Sequence, residues 1–121
     1  MEVILDSNFI ISCLKRKIDF LLELKLLGLK PILPREVLQE LKDLRLKLKH
    51  EDKIAIDLAL SLFEGTGIKK MKLGNRTVDM GLIDKGKKGI YIATLDSAIK
   101  RIVPNKVVIS DSQNKLVVER D

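Results

Sequence analysis

Short, uninterrupted runs of β-forming apolar residues recur along this chain, and longer stretches with helical spacing separate them. The clearest runs are Val3-Ile4-Leu5, Pro31-Ile32-Leu33, Ile90-Tyr91-Ile92-Ala93-Thr94 and Val107-Val108-Ile109. A strand with no polar face must be covered on both sides, which is the condition of a parallel sheet sandwiched between helices. The intervening periodicity predicts those helices. One carries Phe9, Ile10, Cys13 and Leu14. A second opens at Asp19, carries Phe20, Leu21, Leu24 and Leu27, and stops at Gly28. A third has Pro34 in its first turn and the stripe Val37, Leu38, Leu41, Leu44 and Leu48. A fourth carries Ile54, Ala55, Leu58, Ala59 and Leu62 and ends at Gly65-Thr66-Gly67. Thr77 to about Lys85 and Asp96 to Pro104 complete the set. Ile68–Leu73 reads as a weak, lysine-rich edge strand, and Leu116-Val117-Val118 as a last β segment. The expected class is an α/β fold with a mostly parallel sheet, and 121 residues make one domain, 1–121.

Composition removes several kinds of chemistry. A single cysteine, Cys13, and a single histidine, His50, exclude a disulfide framework, a zinc ribbon and a histidine-based triad. Cys13 lies on an apolar helix face and reads as a core residue; His50 stands in a charged turn and reads as exposed. No apolar run is long enough to span a membrane. No basic segment or small-residue cleavage site precedes Val3, so a cytoplasmic protein without a membrane partner is expected. Lys and Arg number 23 against 17 Asp and Glu, a net charge of +6 that suits either solubility or a polyanionic partner. Aromatic residues are only 3% of the chain, too few for a base-stacking platform. A nucleic acid would be held mainly through its phosphates.

Any chemistry must then run on carboxylates, lysines, hydroxyls or a metal with oxygen ligands. Asp6 follows the first apolar strand and Asp96 follows Ile90–Thr94. Ligands of open parallel sheets bind at the carboxyl ends of strands, where the strand order reverses. If these two strands are neighbours, both acids project into one crevice. Taken singly, each reads first as the N-cap of the helix that follows; the pair together suggests a shared site. Glu40 lies beside the apolar stripe of the third helix, with Glu36 one turn earlier as its competitor. Asp79 stands in the first turn of the helix opened by Thr77-Val78, where an acid also suits the helix dipole.

Taken together, Asp6-Ser7-Asn8, Val37-Leu38-Gln39-Glu40-Leu41, Val78-Asp79 and Ala93-Thr94-Leu95-Asp96 with Ile99-Lys100 resemble the PIN domain. The resemblance spans essentially the whole chain. It implies a three-layer α/β/α sandwich and a metal-dependent ribonuclease. By position it makes Asp6, Glu40, Asp79 and Asp96 the metal-holding and catalytic acids, with Ser7, Asn8 and Thr94 as supporting polar groups. Asp6-Ser7-Asn8-Phe9-Ile10-Ile11, then Ile18-Asp19-Phe20, are most similar to archaeal relatives of the PIN nucleases that process ribosomal RNA. VapC-type toxins are the nearest competitor, and a non-catalytic RNA-binding or assembly module on the same fold is a third reading.

Phosphodiester hydrolysis needs charge stabilisation and an activated water, and Mg²⁺ or Mn²⁺ held by carboxylates supplies both. Two carboxylates about 5 Å apart repel by roughly 3 kcal/mol at an effective dielectric of about 20, so such a cluster favours a cation or a proton. RNA is expected along a basic rim: Lys69, Lys70, Lys72 and Arg76 before Asp79, Lys85, Lys87 and Lys88 after it, and Lys100 and Arg101 beyond Asp96. The leucines of the Lys42–Lys49 run face either the core or a homodimer partner. Ribosome-assembly factors, or an antitoxin in the toxin reading, are the other partners that the resemblance implies.

Overall fold

The computed structural model describes residues 1–120. In chain order, β1 (Glu2–Leu5) leads to α1 (Ser7–Lys15) and α2 (Phe20–Leu26), then β2 (Lys30–Pro34), α3 (Arg35–Arg45) and α4 (His50–Thr66). There follow β3 (Lys69–Met71), α5 (Val78–Lys87), β4 (Tyr91–Ala93), α6 (Ser97–Ile102), β5 (Asn105–Ser110) and β6 (Lys115–Arg120). The strands form one sheet in the order β3-β2-β1-β4-β5-β6. All neighbours are parallel except β5 and β6, which form an antiparallel hairpin. The fold is the α/β/α sandwich with a mostly parallel sheet.

Alternation along the strands divides the core in two. Val3, Leu5, Leu33, Tyr91 and Ala93 point to the face covered by α1–α4, where Phe9, Phe20, Phe63, Leu24, Leu41 and Ile56 complete the larger core. Ile4, Ile32 and Ile92 point to the opposite face and meet Leu82 of α5, Ile99 of α6 and Val103. Phe20 sits at the centre of the larger core, edge-on to Phe9 at 6.4 Å and to Phe63 at 6.2 Å. Cys13 is buried there, and burial pushes its thiol up to about 12. It is an inert core residue.

Several boundaries differ from those the periodicity suggests. Pro34 ends β2 and serves as the N-cap of α3, rather than lying in its first turn. On α4 the buried positions are Ala55, Ile56, Ala59 and Phe63, whereas Ile54 and Leu58 are exposed. The two alanines let α4 approach α1 closely, and that choice of face turns Ile54 and Leu58 outward. Gly67 ends α4 in the left-handed conformation, φ +62°, which only glycine adopts without strain. His50 is the first residue of α4 and is exposed. Of the leucines between Lys42 and Lys49, Leu44 and Leu48 are half-buried against the larger core, while Leu46 is exposed. No helix among the described residues is long and apolar enough to cross a membrane.

Candidate active site

The strand order reverses between β1 and β4, with β2 and β3 continuing to one side and β5 and β6 to the other. Asp6 and Asp96 follow the ends of these two strands. The Asp6 amide donates to the Ala93 carbonyl at 3.0 Å, so the first acid is tied directly to the neighbouring strand end. Asp6 then caps α1: its Oδ1 accepts from the Ser7 amide at 2.8 Å. Its Oδ2 accepts from the buried hydroxyl of Thr94 at 2.8 Å. The same Thr94 oxygen accepts from the Asp96 amide at 3.1 Å. Asp96 in turn caps α6, its Oδ1 accepting from Ala98 and Ile99 amides at 2.8 and 3.1 Å. The cap reading therefore holds for both residues, and Thr94 ties the Asp6 carboxylate to the Asp96 backbone. A cap occupies one carboxylate oxygen and leaves lone pairs on the other.

Glu40 joins from the other side. The Ser7 hydroxyl donates to Glu40 Oε1 across 33 positions of sequence. Glu36, its rival one turn earlier, does something else. Its carboxylate accepts from the Leu73 amide at 3.0–3.1 Å and the Gly74 amide at 3.0 Å, gripping the loop between β3 and α5. Partial burial pushes the Glu36 carboxyl up, but these amides and the Lys72 charge outweigh it and hold it below the usual range. That loop delivers Asp79, which is exposed in the first turn of α5 behind the Thr77 N-cap. Glu40 and Asp79 both act on Asp6. Burial is the main cause of its raised carboxyl pKa, and the charges of Glu40 and Asp79 add to it against the lowering hydrogen bonds from Thr94 and Ser7.

Hydrogen bonds thus connect Glu40, Ser7, Asp6, Thr94 and Asp96 in one chain, and Asp79 is coupled to it through space. Among the described residues no three acids, histidines or cysteines lie grouped closely enough to hold a metal ion by themselves. The donor set still fits a hard divalent cation. All the donors are oxygens, and the charges of Glu40 and Asp79 add to the burial that raises Asp6, a repulsion that a cation would relieve. Mg²⁺ takes one or two carboxylates and fills its other positions with water or phosphate, so an open arrangement of acids suits it better than a cage.

The nine basic residues do not form one rim. Lys72 and Arg76 lie in the loop leading to Asp79. Lys69 is paired with Glu2 at 2.7 Å, reaching back toward the amino end of β1 and away from the site. Lys70 lines a recess between α3 and the end of α4. Lys85, Lys87 and Lys88 stand at the far end of α5, which rises about 1.5 Å per residue away from Asp79. Lys88 is also paired with Asp84. Lys100 and Arg101 are in the last turn of the short α6. Asn8 is exposed beside Asp96, on a groove that runs along α1 to Lys15 and Arg16. Nothing in the sequence pattern singles out those two cations.

A family model described as a PIN-like domain matches residues 3–110. The chain belongs to the PIN-like domain family. Among solved structures, this PIN-like domain is similar to one described as the PIN domain endonuclease Utp24. The identity is 22%, the TM-score 0.76, and the match covers 99% of this chain and 92% of the other. At that identity the likeness is one of fold. No curated protein matches the chain in sequence.

Proposed function

We propose that this PIN-like domain is a divalent-metal-dependent endoribonuclease that hydrolyses phosphodiester bonds of structured RNA, with ribosomal RNA precursor as the substrate class its family resemblance favours. The observation that carries the reading is the linkage of Asp6, Glu40 and Asp96 at the strand-order reversal, with Asp79 coupled to Asp6. The similarity to a PIN domain endonuclease supports it.

Each residue has a distinct task in this account. Asp6, Asp79, Asp96 and Glu40 would hold Mg²⁺ or Mn²⁺. When bound, such an ion stabilises charge on the phosphate and lowers the pKa of a water. Thr94 fixes the Asp6 carboxylate and the start of the Asp96 turn with one oxygen. Ser7 does the same for Glu40. Glu36 holds the loop that presents Asp79. Lys72 and Arg76, in the loop that leads to Asp79, would attract the phosphate backbone.

The test is incubation of structured RNA with the protein and with Asp6→Asn, in Mn²⁺ and in chelator. Cleavage by the intact protein with the ion alone is the expected result. Binding without cleavage under every condition would replace the nuclease with a non-catalytic RNA-binding module.

A further inference from the structure

From Asp96 a groove of about 570 Å³ runs along α1. Asn8, Ser12, Lys15 and Arg16 line one wall, spaced at i, i+4, i+7 and i+8 so that they share a face of the helix; Leu95 and Asp96 line the other. Two turns of helix separate Asn8, beside Asp96, from Arg16, about 12 Å at 1.5 Å per residue. From Asp96 the groove thus offers two neutral hydrogen-bonding side chains near that acid and two cations at its far end.

Both cations are paired with acids, and the acid on Arg16 faces solvent. Arg16 Nη2 lies 2.5 Å from Asp111 Oδ1, in the turn of the β5–β6 hairpin. The Asp111 side chain is 84% exposed, so this pair contributes little to folding. Lys15 lies 2.8 Å from Asp52 of α4. A second contact ties the hairpin turn to the end of α1: Asn114, at φ +51°, donates from Nδ2 to the Arg16 carbonyl at 3.1 Å. Asp111 is therefore anchored beside Arg16, where it occupies the guanidinium without burying it.

We infer that this groove is the path of the RNA strand flanking the scissile bond, and that Arg16 is its phosphate anchor, exchanged from Asp111 when the strand arrives. The inference rests on the ribonuclease reading for the identity of the acid site. A guanidinium forms bidentate, charge-assisted hydrogen bonds to phosphate, whereas an exposed acid releases it at little cost. Asn8 and Ser12 offer neutral donors to phosphate and sugar oxygens on the way. No aromatic side chain lines the groove, so the strand is gripped by its backbone, without base stacking, and with little preference for sequence. Asp111 acts as a stand-in anion that keeps Arg16 extended into the groove in the free protein.

The test measures binding apart from cleavage. A fluorescently labelled single-stranded RNA of mixed sequence is titrated in chelator, across a salt series, with the full chain and its variants. Arg16→Ala should weaken binding equally for unrelated sequences and make the log–log salt slope shallower by about one. Arg16→Lys should restore part of the affinity. Lys25→Gln, an exposed position on α2 away from the groove, should leave both quantities unchanged beyond a small general charge effect. Asp111→Asn should tighten binding, and more so with Arg16 present than in the Arg16→Ala background. The inference is overturned if Arg16→Ala behaves like Lys25→Gln, if Asp111→Asn acts equally in both backgrounds, or if the intact protein binds no RNA. If Arg16→Ala is poorly folded, the comparison of Asp111→Asn in the intact and Arg16→Lys backgrounds decides. Loss of binding in Arg16→Ala by a protein that never cleaves would retain the groove and discard the nuclease. Normal cleavage with unaltered Arg16→Ala binding would do the reverse.

Discussion

At Asp6 a buried carboxylate accepts hydrogen bonds from Ser7 and Thr94 while facing the charges of Glu40 and Asp79. Burial and like charge win, and its pKa lies above the ordinary 3.8. The folded state then binds the Asp6 proton more tightly than the unfolded chain does. Its contribution to metal-free stability is greatest below 3.8 and declines as pH rises through the raised value. Asparagine keeps an oxygen for the Ser7 amide and removes the charge. Asp6→Asn should therefore abolish cleavage yet leave the Tm in chelator at pH 7 unchanged or higher. A clear fall in that Tm would mean that capping α1 outweighs the charge repulsion. Thr94 serves both strand ends with one hydroxyl, so Thr94→Val should cost about 1–3 kcal/mol in denaturant unfolding. The same substitution should lower cleavage by releasing Asp6.

Helix placement turns these residues into a site, and two contacts control it. Glu36 grips the loop that carries Asp79, and its lowered pKa gives the opposite sign from Asp6. Stability from Glu36 is present above its ordinary 4.5 and is lost as pH falls through the depressed value. Glu36→Gln should loosen residues 73–79, read as faster amide exchange at Leu73 and Gly74, and reduce cleavage while leaving the remaining sheet intact. On the far side of the sheet α5 packs tightly through Gly86. A Cβ there would lie 2.3 Å from Val103 Cγ1 and 3.1 Å from Ile92 Cγ1. Gly86→Ala should destabilise by about 1–3 kcal/mol, more than the gain of up to about 1 kcal/mol in helix propensity. Gly65, in α4 with open space around its Cα, should give the opposite result: Gly65→Ala should raise stability by up to about 1 kcal/mol. Urea unfolding of both variants checks the pair. The strand ends were legible in the sequence because Val3–Leu5 and Ile90–Ala93 are apolar throughout and an acid follows each, Asp6 directly and Asp96 after Thr94 and Leu95. The division of labour between Glu36 and Glu40 was not legible. They lie one turn apart on the same helix, and only the tertiary positions of Ser7 and the Leu73–Gly74 loop separate them.

Across the whole molecule, the net charge of +6 is distributed unevenly with respect to the acids. Lys85, Lys87 and Lys88 are close to Asp79 in sequence, but α5 carries them away from it. Lys15 and Arg16 are remote from Asp96 in sequence, yet they share its groove. Sequence distance misleads here because a helix converts neighbours into opposite ends, while a sheet brings distant turns to one edge. Linkage between Arg16, the β5–β6 turn and the β4–α6 loop needs three segments that no periodicity connects. RNA affinity of this PIN-like domain should therefore fall steeply with salt. Replacing Lys85, Lys87 and Lys88 together by Gln should reduce it far less than replacing Lys15 and Arg16 alone, as a filter-binding series at two salt concentrations would show. The central claim is that Asp6, Glu40, Asp79 and Asp96 hold one divalent-cation site. Titrating the isotopically labelled protein with trace Mn²⁺ and following paramagnetic broadening of its amide resonances tests it most directly. The account predicts broadening concentrated at residues 6–8, 40, 79 and 94–98 and abolished in Asp6→Asn; broadening centred on other acids, such as Asp43 or Glu51, or unchanged by Asp6→Asn, would contradict it.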